Sequence, residues 1–134
     1  MGVYFDWIRK WFENVQEVPL TLSEKQQTFT ILLVHLIRWA YDQGYAITFG
    51  ETYRPPETAA MYAKKGIGIK NSLHCRRLAA DLMLFKNGKY LKKTEDYKPL
   101  GEHWESLGSP GAECVWGGRF NDGCHFSISD GGKK

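Results

Sequence analysis

The chain has 134 residues, 43% of them hydrophobic and 25% charged, a balance that suits one folded domain with a single core and excludes both a disordered chain and two domains of ordinary size. Its formal net charge of +3 is too small for the basic stripe of a nucleic-acid-binding protein, so no nucleic acid is expected as a partner, although an anionic polymer such as a cell wall is compatible with it. The longest apolar run, residues 31–34, falls far short of the ~20 residues that a transmembrane helix needs, so no transmembrane segment is expected.

The opening stretch MGVYFDWIRKWF lacks the basic n-region, unbroken apolar core and small-residue cleavage site of a signal peptide, and Asp6 stands where a myristoylation motif wants Ser or Thr. The expectation is a protein made in the cytoplasm and not exported by itself. Tyr4, Trp7, Ile8, Trp11, Phe12 and Val15 recur at helical spacing with Asp6, Arg9, Lys10 and Glu13 between them, which predicts a short amphipathic helix. Residues 1–18 are therefore read as an N-terminal arm and 19–134 as the domain. The polar face of the arm carries both signs, which favours packing on the domain, on a second copy or on a partner over lying on a membrane.

Ser23 and Gln26 resemble a capping box, and Phe29, Leu32, Leu33, Leu36, Trp39 and Ala40 follow at i, i+3, i+4 spacing, predicting a core helix over residues 23–42 that Gly44 ends. His35 lies on the flank of that stripe and is read as structural. YAITF, residues 45–49, is a strand by its aromatic and β-branched content. Pro55 and Pro56 suit the first turn of a helix that carries Met61, Tyr62 and Ala63 and that Lys64, Lys65 and Gly66 stop. Arg54 thus sits at a strand-to-helix junction, held by rigid elements on both sides, with a guanidinium suited to bidentate capture of a carboxylate.

After a loop containing Gly66, Gly68 and Asn71, residues 78–85 read as a strand with Asp81, Met83 and Phe85 on one face and Ala80, Leu82 and Leu84 on the other. Asn87-Gly88 signals a hairpin into a strand at 89–91. Tyr97, Leu100, Trp104 and Leu107 mark a second core helix ending at Gly108, with Pro110 beyond it. Residues 114–116 and 125–128 are short strands around the glycine-rich GGRFNDG, and SDGGKK is expected to fray. The whole is an α+β fold, a small antiparallel sheet with packed helices.

Two stretches carry candidate chemistry. SLHCRRLAAD holds His74 and Asp81; WGGRFNDGCHF holds Asp122 and His125. A catalytic zinc takes three protein ligands from His nitrogen or carboxylate oxygen and keeps one position open, and His74, Asp81 and His125 are such a set. The odd spacing of His74 and Asp81 would aim them oppositely on one straight strand, so the chain must bend between them. Asp122 could then serve as general base toward water on the metal. Cys75 and Cys124 are rival ligands beside His74 and His125, but in extended chain they would face away into packing. The three cysteines, Cys75, Cys114 and Cys124, leave no complete disulfide framework and default to reduced thiols. Scattered His and Asp pairs are common, and spacing alone leaves a structural role open for them.

SxHxxxxxxD followed by WGG and DxxHF resembles the zinc metallopeptidase family of D-alanyl-D-alanine carboxypeptidases, D-Ala-D-Ala dipeptidases and phage L-alanyl-D-glutamate endolysins, whose fold is shared with the hedgehog signalling domain. The matching stretch runs over residues 20–128. The resemblance implies one zinc ion per chain on His74, Asp81 and His125, Asp122 as the catalytic carboxylate, Arg54 as the residue that orients substrate and stabilises the tetrahedral intermediate, and Ser72 as a substrate-side serine. Two departures stand out: Arg77 occupies a position where the family often has Gly, and Asp122 one where it often has Glu. The implied activity is hydrolysis of the peptidoglycan stem peptide, at the L-Ala–D-Glu bond, by a phage or prophage lysis enzyme acting on the wall after release. The alternatives are D-Ala-D-Ala carboxypeptidase or dipeptidase action, or a non-catalytic zinc-stabilised module of a phage particle. His103 falls at no matching position.

Overall fold

The computed structural model describes residue 6, residues 9–11, residue 13, residues 19–69 and residues 71–134. Most of the expected N-terminal arm, including Tyr4, Trp7, Ile8, Phe12 and Val15, lies outside the described residues. Asp6, Arg9, Lys10, Trp11 and Glu13 are helical, and Trp11 packs against the core.

Helix α1, Leu22–Asp42, starts one residue earlier than expected and uses a different cap. Thr21 Oγ1 accepts from Glu24 N at 3.1 Å, and Glu24 Oε1 accepts from Thr21 N at 3.0 Å. The box needs a hydroxyl followed three residues later by a side chain that reaches back, and Thr21–Glu24 meets that requirement with a carboxylate where Ser23–Gln26 offers an amide. Phe29, Leu32, Leu36 and Ala40 form the buried stripe. Strand β1 is Tyr45–Phe49, α2 is Pro56–Lys64, β2 is Ala79–Lys86 and β3 is Lys89–Leu91; helix α3, Lys98–Ser106, is followed by β4, Cys114–Trp116, and β5, His125–Ile128. Single turns of 3₁₀ helix at Leu73–Arg76, Thr94–Tyr97 and Gly117–Phe120 join them.

The sheet is antiparallel throughout, in the order β1-β2-β5-β4, with β3 also on β2. Long β2 is its spine: β1 pairs along one edge, while β5 meets its first half and β3 its second on the other. The hairpin from β2 to β3 turns on Asn87 and Gly88, both at positive φ (53° and 76°), as a two-residue loop of the mirror-image type requires.

The two faces of the sheet have different tasks. Ala80, Leu82 and Leu84 of β2, Phe126 and Ile128 of β5 and Trp116 of β4 point into the core. Trp104 of α3 stands edge-on to both Phe29 and Phe126, at 5.8 and 6.3 Å between ring centroids. Its indole N–H is shared between the carbonyls of Val115 (3.1 Å) and Ser127 (3.0 Å), so the largest core side chain is buried without an unpaired donor. Burial of each such side chain contributes about 1.5–3 kcal/mol. Asp81, Met83 and Phe85 lie on the opposite, half-covered face.

The expectation of a frayed C-terminus is corrected. Asp130 accepts from Lys25 Nζ at 2.9 Å and pairs with Arg76, and it closes a turn with Lys133 through two backbone bonds of 3.0 Å. The tail is tied to α1 and to the 3₁₀ turn that carries His74. None of the described helices is long and apolar enough to cross a membrane.

Candidate metal centre

Strand register does most of the assembly. Asp81 of β2 is the direct cross-strand partner of His125 of β5, so both side chains emerge on the same face. His74 arrives from outside the sheet on the 3₁₀ turn Leu73–Arg76, which Ser72 caps by accepting His74 N–H at 3.1 Å. The required bend lies at Arg77, which holds a left-handed conformation (φ 56°, ψ 36°) with its guanidinium 3.9 Å from the ring centroid of Tyr53. A left-handed residue costs an L side chain energy that glycine does not bear. The arginine does not abolish the bend.

The result is a compact set of donors. His74, Asp81 and His125 each offer one ligand atom, and these atoms all lie within 4.8 Å of one another. Asp81 Oδ1 is 3.4 Å from His74 Nε2 and 3.6 Å from His125 Nδ1. Two ligand atoms bound at about 2.1 Å to a tetrahedral zinc stand about 3.4 Å apart, so the spacing fits an ion at their centre. Asp81 Oδ1 is also buried without a hydrogen-bond partner, an arrangement that is costly unless a cation satisfies it. The group can therefore hold a metal ion.

The three groups also hold one another by charge, and an ion would displace the proton that Asp81 favours on His74. Burial pushes the Asp81 carboxyl up, but His125 and His74 outweigh burial and hold it at about 2. Burial opposes protonation of His74, yet Asp81 prevails and raises it above the ordinary histidine range. His74 Nδ1 lies 3.0 Å from the carbonyl of Thr52. A carbonyl only accepts, so Nδ1 carries a proton, and in the neutral ring that a metal ligand must be, Nε2 would present its lone pair to the centre.

Residues 50–54 form a scaffold beneath two of the three donors. Gly50 N donates to Asp81 O (2.7 Å), Asp81 N to Glu51 O (2.8 Å), and Arg54 N to His74 O (3.2 Å). Glu51 is a functional candidate that sequence reasoning missed. Its Oε1 accepts from Arg54 Nε at 2.8 Å and from Arg54 Nη2, and it stands 4.0 Å from His74 Nδ1. The acid three residues before a singled-out arginine, in ETYR, is the signal that could have found it. Arg54, expected to face substrate, is thus already directed by a carboxylate; its guanidinium also lies 5.3 Å from the Tyr62 ring centroid.

Asp122 is exposed in the turn between the last 3₁₀ helix and β5. Its amide donates to Gly117 O at 2.8 Å and its carbonyl accepts from His125 N at 3.1 Å, so its backbone is locked one turn from a ligand candidate. Gly117 is required there: a Cβ would meet Asp122 O at 2.2 Å and His125 Cβ at 2.6 Å. Ser72, expected on the substrate side, is buried and spends its hydroxyl on the cap of the His74 turn.

No cysteine joins the three-residue group. Cys75 lies in a 3₁₀ turn rather than extended chain, so the alternation argument for its direction does not hold; it is half-buried. Burial pushes Cys114 up to about 12, and burial together with Asp81 and Asp122 does the same for half-buried Cys124, which disfavours the thiolate form a metal would take. His103 stacks on Trp39 (4.1 Å) and His35 (5.4 Å), as part of helix packing.

No protein-family model and no curated protein matches the chain. Among solved structures, it is similar to the crystal structure of Serratia marcescens L-Ala D-Glu endopeptidase ChiX, with 20% identity and a TM-score of 0.54 over 72% of this chain and 77% of that one. At this identity the likeness is one of fold: a small antiparallel sheet with helices, as in a peptidase.

Proposed function

We propose that the chain is a zinc-dependent peptidase that hydrolyses the L-Ala–D-Glu bond of the peptidoglycan stem peptide, with one zinc held by His74, Asp81 and His125. The observation that carries this reading is the convergence of those three side chains on a buried, unsatisfied carboxylate oxygen, within a fold shared with an L-Ala D-Glu endopeptidase. The bound ion would supply Lewis-acid polarisation of the scissile carbonyl and acidify a water molecule.

The chain's own residues supply the rest. Asp122 takes the proton of the attacking water and returns one to the departing nitrogen. Arg54 holds negative charge on the substrate or on the developing oxyanion, in a direction that Glu51 maintains. Ser72 supports the centre by fixing the turn that carries His74. The proposal includes action at the cell wall after release, as a phage or prophage lysis enzyme.

Digestion of purified sacculi by the zinc-loaded protein, followed by mass spectrometry, tests it. The expected products are fragments with a new amino terminus on D-Glu. Cleavage at D-Ala-D-Ala would overturn the bond assignment, and intact sacculi with stoichiometric zinc would overturn the enzyme.

A further inference from the structure

A second feature shares the face that carries the candidate centre. Two residues beyond Asp81 on β2, Met83 accepts at its Sδ from the Tyr90 hydroxyl at 3.4 Å. Lys92 Nζ stands 5.8 Å from the Tyr90 ring centroid. From there a cavity of about 200 Å³ runs to the turn before His125, lined among others by Tyr90, Lys92, Thr94, Asn121, Asp122 and Cys124. Its wall is built rigidly. Trp116 Nε1 donates to Gly123 O at 2.7 Å, and a Cβ on Gly123 would meet Thr94 Cα at 2.7 Å, so the turn bearing Asp122 is pressed against the start of the Thr94–Tyr97 helix.

The charge pattern is specific. The lining carries one carboxylate, Asp122, and one ammonium, Lys92, and among the described residues Lys92 makes no ion pair. Thr94 and Asn121 add hydrogen-bond donors. Lys92 is exposed at the rim; a residue that offers an amine nitrogen toward Asp122 and a carboxylate toward Lys92 complements this pocket, whereas a basic side chain would meet Lys92 with like charge.

We propose that this cavity is the subsite for an acidic residue on the leaving side of the scissile bond, with Lys92 receiving its carboxylate and thereby setting specificity. This rests on the peptidase reading above. It assigns Lys92 to recognition and not to the chemical step.

Two peptides test it, one with D-Glu after the scissile bond and one with D-Gln in its place. Lys92→Met removes a charge-assisted hydrogen bond from the acidic peptide alone, and should lower the acid-to-amide ratio of kcat/KM about tenfold, chiefly through KM; Lys92→Arg should recover most of it. An unchanged ratio in Lys92→Met overturns the proposal. A parallel titration of free D-glutamate into the full chain, followed by amide NMR shifts of Thr94, Asn121 and Gly123, does not depend on catalysis. Shifts in the wild type that vanish in Lys92→Met support the subsite; no shifts, or equal shifts in both, overturn it. Hydrolysis of neither peptide by the wild type would remove the peptidase reading and leave the titration to decide the cavity.

Discussion

Glu51 grips Arg54 through both Nε and Nη2 while standing 4.0 Å from His74 Nδ1, so a single carboxylate faces both the arginine and a candidate metal ligand. A guanidinium beside a dication site opposes metal binding by Coulomb repulsion, and Glu51 offsets that charge. Glu51→Gln is therefore expected to weaken zinc affinity by up to about tenfold, through lost charge compensation at a partly exposed site. The double variant Glu51→Gln/Arg54→Met should recover much of it. Competition against a chromophoric chelator measures both, and unaltered affinity in Glu51→Gln would contradict the role.

At the bend, Arg77 combines a left-handed backbone with a guanidinium 3.9 Å from the Tyr53 ring centroid. Arg77→Gly would relieve about 1–2 kcal/mol of backbone cost. It would lose about 0.5–1 kcal/mol of cation–π attraction and a similar amount to chain entropy. The expected net change in urea denaturation is within about 1 kcal/mol. Arg77→Val keeps the strain, adds β-branching and loses the stacking, and should destabilise by about 1–3 kcal/mol.

The pin at Asp130 predicts a pH dependence. Lys25, with Arg76, holds its carboxyl below the usual carboxylate range. A folded-state value lowered in this way contributes stability above the unfolded-state pKa of about 3.9, and that stability is lost as pH falls through the folded-state value. Asp130→Asn should thus cost up to about 1 kcal/mol at neutral pH, within the range of partly exposed ion pairs. The difference from wild type should vanish in acid. Thermal melts of both proteins along a pH series from neutral into acid check it, the gap between them closing as Asp130 takes up its proton.

Much of the fold was legible because its elements are amphipathic at clear periods. The alternation that separates Asp81 from Leu82 marks the two faces of β2, and Asn87-Gly88 marks its hairpin. The donor trio was legible as residue types and spacing, but its convergence was not, since it depends on the Asp81–His125 register and on the left-handed Arg77. Glu51 is marked only by its spacing from Arg54 in ETYR, and its position beside His74 arises from side chains that meet only after folding. The order of the tail is not written locally either: GGKK is weak by itself, and Lys25 and Arg76, distant in sequence, hold Asp130 in place.

The proposed chemistry stands or falls on the ion. Anomalous diffraction at the zinc edge, on crystals of the full chain, is predicted to show one zinc bound by His74 Nε2, Asp81 Oδ1 and His125 Nδ1 at about 2.0–2.2 Å, with one position open toward solvent. No ion between these residues, or an ion held by Cys75 or Cys124, would contradict it.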